Sequence, residues 1–262
     1  MDNPVEKFAD TIVLFDVDGT LTKPRNRITP EMDDFLRALK SKVSVGLVGG
    51  SDLAKIAEQM EPVGVDSSSS AQSILDLVKK FHYLFAENGL VAFKSGERQE
   101  TDSIVSSLGE EKLQRFINFS LRYMSELVLP CKRGNFIEFR TGLVNICPIG
   151  RSCSQNEREV FAEFDAKHKV REKFVQALKD EFGDDYGLEY VIGGQISIDA
   201  FPSGWDKTYC LKFLTHFKKI YFFGDKTFPG GNDYEIYSDE RTIGYNVTSP
   251  EHTKQIVTQI FF

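Results

Sequence analysis

Two aspartates separated by one residue follow a short apolar run near the start of the 262-residue chain. The run ends at Phe15, and the next residues read Asp16-Val-Asp18-Gly-Thr-Leu-Thr. Alternate side chains of an extended chain lie on one side, so we expect both carboxylates to point the same way. Because two close carboxylates repel each other, a hard cation with oxygen ligands, above all Mg²⁺, is expected between them. Asp225, which ends a second apolar run, supplies a third carboxylate.

Two other interpretations compete with a metal-dependent active site. A calcium-binding EF-hand loop needs Asp or Asn at its fifth position and Glu at its twelfth, where this chain has Thr20 and Arg27. A solvated acidic turn after a strand needs no function at all. Ligand sites in open α/β sheets lie beyond the carboxyl ends of the strands, however, and this placement favours an active site.

The segments around these aspartates predict strands that alternate with helices. Continuous apolar runs are typical of strands buried on both faces of a parallel sheet. Four runs have this character: residues 12–15, 43–48, 83–85 and 220–223. Helix starts are predicted at Thr29-Pro30, after Ser51-Asp52, after Trp205-Asp206-Lys207 and at Ser249-Pro250. We therefore predict a doubly wound, Rossmann-like α/β core.

The pattern between residues 98 and 203 is different. Residues 113–127 have the spacing of an amphipathic helix, residues 136–140 and 195–199 alternate like half-exposed strands, and residues 156–182 form a long helical stretch. These features predict an inserted α+β cap domain with an antiparallel sheet, at residues 98–203. Residues 1–97 and 204–262 then form one discontinuous core. The serine-rich residues 65–74 are interpreted as a solvated loop.

Composition and charge limit the partners of the chain. The net charge of −7 argues against a general nucleic-acid binder or a basic membrane-surface protein. No apolar run reaches the roughly 18 residues that span a membrane, and no signal-peptide pattern is present, so we expect a cytoplasmic protein. The four cysteines form no C-x-x-C pair and are expected to be buried free thiols.

One stretch of the acidic chain has the opposite charge. Residues 131–173 contain nine Lys or Arg and six Asp or Glu. The planar guanidinium of arginine binds phosphate through two parallel hydrogen bonds. A single arginine is more often a solvated surface charge, so the residues alone leave both interpretations open.

Four segments resemble, in order, the four motifs of the haloacid-dehalogenase superfamily. They are Asp16-Val-Asp-Gly-Thr-Leu-Thr, Val-Gly-Gly-Ser51, Gly-Trp-Asp-Lys207 and Gly-Asp225-Lys-Thr-Phe-Pro-Gly-Gly-Asn232-Asp233. Nearly the whole chain is similar, more narrowly, to the eukaryotic phosphomannomutase family. Three further segments carry that likeness: Arg-Gly-Asn-Phe-Ile-Glu-Phe-Arg140, Asn-Ile-Cys-Pro-Ile-Gly-Arg151-Ser-Cys and Gly-Gly-Gln-Ile-Ser197-Ile-Asp199.

The resemblance implies an isomerase that interconverts D-mannose 6-phosphate and α-D-mannose 1-phosphate and so supplies GDP-mannose synthesis. A hexose 1,6-bisphosphate is the implied activator. Asp16 is the expected nucleophile, which forms an aspartyl phosphate, and Asp18 is the expected general acid/base. Lys207 would balance the nucleophile and Ser51 would hydrogen-bond the phosphoryl group. Mg²⁺ is expected on Asp16, Asp18 (through its backbone carbonyl) and Asp225, with Asn232 and Asp233 in support.

The resemblance also implies ligands for the basic stretch and an assembly. The phosphate remote from the chemistry and the sugar hydroxyls are expected on Arg140, Arg151, Arg158, Ser197 and Asp199, with Arg25 as a further substrate contact. A second cation site is expected on the carbonyl of Tyr237, Asp239 and Thr242, although these residues also fit an ordinary turn. A homodimer through the cap domains is expected.

Two rival functions stay open at this stage. A sugar-phosphate phosphatase of the same superfamily would share the four core motifs, but it would not need a second phosphate grip. A phospho-ligand binding module would keep the fold without the chemistry. The presence together of Asp16, Asp18, Lys207 and Asp225 argues against that module. The ratio of mannose to glucose phosphate activity is not set by these motifs.

Overall fold

The computed structural model describes residues 8–24, 26–64 and 69–262. It divides into two compact units, residues 1–101 with 204–262 and residues 102–203. We call the first the core unit and the second the inserted unit. The expected division at residues 97/98 and 203/204 lies beside these boundaries. Arg25 and residues 65–68 of the serine-rich segment lie outside the described residues.

Eleven strands lie within the described residues. They are β1 (Thr11–Phe15), β2 (Ser44–Val48), β3 (Tyr83–Ala86), β4 (Val91–Lys94), β5 (Glu97–Arg98), β6 (Ile137–Phe139), β7 (Val144–Ile146), β8 (Leu188–Gly193), β9 (Ser197–Pro202), β10 (Lys219–Gly224) and β11 (Thr242–Asn246). The core unit's sheet has the order β11-β10-β1-β2-β3-β4-β5. The pairs β3–β4 and β4–β5 are antiparallel, and the other neighbouring pairs are parallel. The inserted unit's sheet, β6-β7-β9-β8, is antiparallel throughout. The predicted fold class is confirmed.

Nine α-helices accompany these strands in the described part of the chain. They are α1 (Pro30–Lys40), α2 (Leu53–Met60), α3 (Ser70–Lys80), α4 (Ile104–Leu108), α5 (Glu110–Glu126), α6 (Gln155–His168), α7 (Val170–Phe182), α8 (Tyr234–Ser238) and α9 (Pro250–Phe261). The side chains of Thr29, Asp52 and Ser249 accept backbone N–H groups at the starts of α1, α2 and α9, as their sequence positions predict. None of the described helices combines the length and apolarity that crossing a membrane requires.

The inner strands β1, β2, β3 and β10 of the core sheet are buried on both faces, which explains their continuous apolar runs. Val13 and Phe15 of β1 pack in one cluster with residues of α1, α2, α3 and α9. Ile12 and Leu14 point to the other face and pack with Leu211 of the 3₁₀ segment Lys207–Phe213 and with residues of α8. A strand that is buried on both faces is apolar at every position, because its successive side chains point to the two faces in turn.

Three local expectations are corrected by the structure. The serine-rich segment is not a loop throughout, because α3 begins at Ser70 with the Ser69 side chain as its cap. The long helical stretch breaks at Lys169, whose φ of 57° is left-handed, so α6 and α7 are separate. The segment after Asp206 is a 3₁₀ helix. Short segments of 3₁₀ helix are common as connectors, and three consecutive buried residues, Tyr209, Cys210 and Leu211, do not distinguish them from an α-helix.

The four cysteines are free thiols, as expected. Cys147, Cys153 and Cys210 are buried, whereas Cys131 is only partly buried. Burial raises the pKa of the Cys147 thiol to about 11, which keeps it protonated near neutral pH.

Candidate active site

The loop after β1 brings Asp16 to the edge of the core sheet. The Asp16 N–H still donates to the carbonyl of Phe223 on β10 at 2.9 Å, so the side chain leaves from an ordered ladder. Gly19 has a φ of +75°, and a Cβ at this position would lie 2.3 Å from Oδ2 of Asp225. Only glycine permits both this conformation and this approach. The loop backbone therefore packs directly against the strand-end carboxylate of β10.

Three carboxylates, two of them buried, and one buried ammonium group form a cluster at this edge. Asp16, Asp225 and Asp233 each offer a carboxylate oxygen, and these oxygens all lie within 4.8 Å of one another. The Lys207 Nζ lies 2.5 Å from Oδ1 of Asp16 and 2.5 Å from Oδ1 of Asp233. The Asp233 side chain is 0% exposed and that of Lys207 is 1% exposed. Asp16 and Asp233 thus share one ammonium group away from water, and the half-buried Asp225 lies beside them.

The pKa values of the cluster reflect this excess of negative charge. Burial raises the pKa of Asp16 to about 7, and Asp233 adds to this rise while Lys207 opposes it. Burial, followed by Asp233, also raises the pKa of Asp225. Burial opposes protonation of Lys207, but Asp16 and Asp233 outweigh it and raise its pKa. A further cation would stabilise the ionised carboxylates, and their oxygens are suitable ligands for a hard divalent metal ion.

Asp233 has both carboxylate oxygens engaged. Oδ1 binds Lys207, and Oδ2 accepts the backbone N–H of Lys226 at 3.0 Å. Asn232, its neighbour in the motif, is exposed. These contacts make Asp233 a partner of Lys207 and of the loop that follows Asp225.

Asp18 is not one of the three clustered carboxylates, and a common direction for Asp16 and Asp18 stays a prediction. The carboxylate cluster consists of Asp16, Asp225 and Asp233, whereas Oδ1 of Asp18 accepts a hydrogen bond from Nε2 of Gln59 at 2.7 Å. The chain turns directly after Asp18, because the N–H groups of residues 20, 21 and 22 all donate to the Val17 carbonyl.

Ser51 lies in the loop after β2 and is half-buried. Its carbonyl accepts the N–H of Glu87 at 3.0 Å, and the Gly49 carbonyl accepts the N–H of Asn88 at 3.0 Å. Glu87 and Asn88 have φ values of 48° and 62°, which are left-handed. The Asn88 side chain also donates to the carbonyl of Trp205 at 3.3 Å. This turn thus fixes the Ser51 loop and the segment that leads to Lys207.

The residues of the expected second cation site lie around the end of α8. Tyr237 is in α8, Asp239 follows it, and Thr242 begins β11. The Asp239 carboxylate is already bound by Arg241, with Nη2 at 2.6 Å from Oδ2 and Nε at 2.8 Å from Oδ1. The Thr242 hydroxyl donates to the Ile236 carbonyl at 2.5 Å. A cation at this place would have to share Asp239 with Arg241, and the site stays a prediction.

In the inserted unit, Arg140 and Arg151 are joined by one carboxylate. The Glu138 side chain binds Nη2 of Arg140 at 2.6 Å and Nε of Arg151 at 2.8 Å. Arg151 also donates to Oδ1 of Asn145 at 2.8 Å, and Asn145 donates to Oδ1 of Asp199 at 2.6 Å. Four of these residues lie on or beside neighbouring strands of the antiparallel sheet, whose register brings Glu138, Asn145 and Asp199 side by side.

Two more expected substrate contacts, Arg158 and Ser197, lie beside this network. Arg158 donates from Nη2 to the Arg151 carbonyl at 3.3 Å. The Ser197 hydroxyl donates to the carbonyl of Gly193 at 3.2 Å. Burial raises the pKa of Asp199, although its hydrogen bond from Asn145 opposes the rise. The structure therefore brings together Arg140, Arg151 and Asp199, with Arg158 beside Arg151.

A buried ion pair that the sequence did not single out supports the turn carrying Ser197. Arg171 Nε lies 2.7 Å from Oδ2 of Asp165, and both residues are 8% exposed. Nη1 of Arg171 donates to the carbonyls of Gly193, Gly194 and Ser197 at 3.1 to 3.3 Å. One guanidinium thus ties the β8–β9 turn to the start of α7.

Comparison with known proteins places this geometry in a family. The family model for eukaryotic phosphomannomutases matches residues 32–262. Phosphomannomutase 1 of Dictyostelium discoideum is 55% identical over 256 residues, which cover 97% of each chain. The phosphomannomutase of Spinacia oleracea is 53% identical over 250 residues, which cover 95% of each chain.

Solved structures share the fold at much lower sequence identity. A trehalose-6-phosphate phosphatase of Aspergillus fumigatus gives a TM-score of 0.58 at 14% identity, with 98% of this chain and 95% of that chain covered. This likeness shows the fold alone. The matches in sequence confirm the resemblance read from the motifs and the expectation of an isomerase. The chain belongs to the eukaryotic phosphomannomutase family.

Proposed function

We propose that this chain interconverts D-mannose 6-phosphate and α-D-mannose 1-phosphate. The observation that carries the proposal is the identity of 53 to 55% with relatives named phosphomannomutase, which extends over nearly the whole of both chains. The buried cluster of Asp16, Lys207 and Asp233 supports phosphoryl transfer as the chemistry. The product would supply GDP-mannose synthesis, and the cytoplasmic location stays a prediction.

Asp16 is the proposed nucleophile. Its carboxylate oxygen attacks a phosphorus atom of hexose 1,6-bisphosphate, the bond from phosphorus to the sugar oxygen breaks, and an aspartyl phosphate forms. Asp18 gives a proton to the departing sugar oxygen. In the reverse step, Asp18 takes the proton from a hydroxyl of a hexose monophosphate as that oxygen attacks the aspartyl phosphate. The bisphosphate turns round between steps, so a phosphoryl group leaves from one position and arrives at the other.

The remaining core residues would hold charge and geometry during this transfer. Lys207 stays protonated between Asp16 and Asp233 and keeps the nucleophile in place. The Ser51 hydroxyl would donate to a phosphoryl oxygen. Asp16, the backbone carbonyl of Asp18 and Asp225 would hold Mg²⁺, which neutralises negative charge on the phosphoryl oxygens when it is bound.

The phosphate that is not reacting would bind the arginines of the inserted unit. Arg140, Arg151 and Arg158 offer guanidinium groups, and Ser197 and Asp199 would contact the phosphate and the sugar hydroxyls. Glu138 holds Arg140 and Arg151 together at 2.6 to 2.8 Å, so an incoming phosphate exchanges with this carboxylate or binds the free N–H groups beside it. Arg25, which lies outside the described residues, is proposed as a further substrate contact.

Phosphorus NMR distinguishes this proposal from a phosphatase with the same fold. Purified protein with Mg²⁺ and mannose 1-phosphate should form mannose 6-phosphate, and glucose 1,6-bisphosphate should accelerate the reaction. Formation of inorganic phosphate as the main product, without mannose 6-phosphate, would contradict the proposal and support the phosphatase.

The proposed assembly is a homodimer through the inserted units. Size-exclusion chromatography with light scattering should give about twice the chain mass of 29.7 kDa. A mass equal to that of one chain across micromolar concentrations would contradict the dimer without affecting the proposed chemistry.

A further inference from the structure

Gln59 is a buried polar residue, and the nitrogen and the oxygen of its side-chain amide differ in their hydrogen bonding. It is 5% exposed and lies in α2. Its Nε2 donates to Oδ1 of Asp18 at 2.7 Å. Its Oε1 is buried and accepts no hydrogen bond from the described residues. The hydrogen bond to Asp18 is therefore the interaction that an amide, rather than an apolar side chain, makes at this position.

The backbone around Gln59 is held firmly. Its carbonyl accepts the N–H of Ile28 at 2.7 Å, and the carbonyl of Ile28 accepts the N–H of Val63 at 3.1 Å. The carbonyl of the next residue, Met60, accepts Nζ of Lys80 at 3.1 Å. Ile56, Ala57 and Met60, on the same helix, are buried in the core. The amide of Gln59 is thus presented to Asp18 from a rigid element.

Leaving an amide carbonyl buried without a partner opposes folding. A methionine or leucine at this helix position would fill the same space without that penalty. The Gln59 side chain is unfavourable for stability, and its one side-chain hydrogen bond within the described residues reaches the proposed acid, Asp18. This combination points to a role in the reaction. The direction of the hydrogen bond from Gln59 to Asp18 fits this role, because a carboxylate oxygen accepts and an amide N–H donates.

We propose that Gln59 is a positioning residue that fixes the Asp18 carboxyl group for proton transfer. Asp18 is half-buried and is not one of the three clustered carboxylates, and Lys207 bonds Asp16 and Asp233. Proton transfer needs the carboxyl group within hydrogen-bond reach of the sugar oxygen, and a rotated carboxyl group loses that reach. The inference rests on the proposed acid/base role of Asp18.

The test compares two phosphoryl donors that differ in their need for an acid. Hexose 1,6-bisphosphate releases a sugar alkoxide, which must be protonated, whereas acetyl phosphate releases acetate, which needs no proton. Rapid-quench experiments would measure phosphorylation of Asp16 by each donor in the full-length protein with Mg²⁺. In Gln59→Met, we expect the rate from the bisphosphate to fall about 10- to 100-fold, as loss of a hydrogen bond to a charged group predicts. The rate from acetyl phosphate should change less than about threefold.

Two further variants make the result specific. Gln59→Glu keeps the size of the side chain but, as an ionised carboxylate, cannot donate to Asp18, so it should show the same donor dependence. Gln72→Met, which removes an exposed glutamine bonded to Asp76, should leave both rates unchanged. Thermal melting curves would confirm that each variant is folded.

The outcomes separate this inference from the proposed function. Asp18→Asn should show the same donor dependence as Gln59→Met, and more strongly. If Asp18→Asn depends on the donor but Gln59→Met loses both rates equally, or neither, Gln59 is not a positioning residue and the inference is overturned. Equal rates from both donors in Asp18→Asn would overturn the acid/base role itself.

Discussion

The core unit and the inserted unit each bring acidic and basic side chains together at a sheet, but the two clusters differ in burial and in the sign of their excess charge. In the core unit, the side chains of Asp16, Lys207 and Asp233 are 0 to 7% exposed, and the Lys207 Nζ lies 2.5 Å from an oxygen of each aspartate. In the inserted unit, Arg140 and Arg151 are 20 and 29% exposed and share one carboxylate, Glu138. The first arrangement is acidic and buried, and the second is basic and open to water.

The difference matches what each arrangement is proposed to do. A nucleophile must stay in one place in a medium of low dielectric constant, where charges act strongly on a developing transition state. A group that binds and releases a phosphate must instead be reachable, and its partner must be replaceable. Breaking the core cluster should therefore affect chemistry and stability, whereas breaking the arginine network should affect binding.

The largest effect is expected from removing the nucleophile. Asp16→Asn keeps the shape of the side chain but cannot form an aspartyl phosphate, so turnover of mannose 1-phosphate should fall by about four orders of magnitude or more. Phosphorus NMR measures the turnover, and circular dichroism confirms the fold. Asp34→Asn changes an exposed carboxylate of α1 and should keep full activity. Turnover of Asp16→Asn within tenfold of the unmodified protein would remove Asp16 as the nucleophile.

The next effect concerns the buried cation of the core cluster. Lys207→Met leaves Asp16 and Asp233 buried without their partner, so the free energy of unfolding should fall by about 3 to 5 kcal/mol. Trp205, the single tryptophan, lies two residues away and reports urea unfolding by its fluorescence. Adding Asp233→Asn should restore part of the loss, because one uncompensated charge is removed.

A surface pair provides the matched control for Lys207. Lys218 lies 2.6 Å from Asp10, with side chains that are 80 and 55% exposed. Lys218→Met should leave the free energy of unfolding nearly unchanged, because water solvates both groups when the pair is broken. Equal losses in Lys207→Met and Lys218→Met would show that burial does not distinguish the core cluster.

Breaking the arginine network should change binding more than the chemical step. Arg140→Met and Arg151→Met each remove charge-assisted hydrogen bonds to phosphate, so KM for mannose 1-phosphate should rise about 10- to 100-fold. The value of kcat should change several-fold at most. Arg133→Met is the control, because Arg133 is an exposed arginine paired with Glu157. A fall in kcat with unchanged KM would contradict a binding role for Arg140 and Arg151.

Much of the core site could be predicted from the sequence because parallel strands place it. Asp16, Ser51 and Asp225 each follow a buried apolar strand, and the carboxyl ends of β1, β2 and β10 meet at one edge of the sheet. Topology therefore brings together residues that are up to 209 positions apart in the chain. The strand signal alone was sufficient for this step.

The partners of the site residues could not be predicted in the same way. Gln59 looks like an ordinary polar residue near the end of a helix, and its contact with Asp18 depends on which helix face meets the loop after β1. The Arg171–Asp165 pair forms across a break between two helices that the periodicity presented as one. Asn145, a polar residue between two apolar ones in β7, was the available signal for the inserted network.

The smallest effect is expected at Asp199, a carboxylate of the inserted unit whose pKa, like those of Asp16 and Asp225, is raised by burial. Burial raises its pKa in the folded state above the ordinary value of 3.8. A raised pKa means that the folded state holds the proton more tightly, so the stability from this group is complete below the ordinary value and is lost as pH rises through the raised one. Asp199→Asn cannot ionise and should remove this dependence.

Hydrogen exchange of the amides of β8 and β9 would be compared between the two proteins at each pH from 4 to 7, so that the intrinsic exchange rates cancel. Protection of the unmodified protein relative to Asp199→Asn should decrease as pH rises. A ratio that stays constant or increases would show that Asn145 and the two arginines fully compensate the buried charge, and Asp199 would then belong with the solvated network rather than with buried carboxylates such as Asp16.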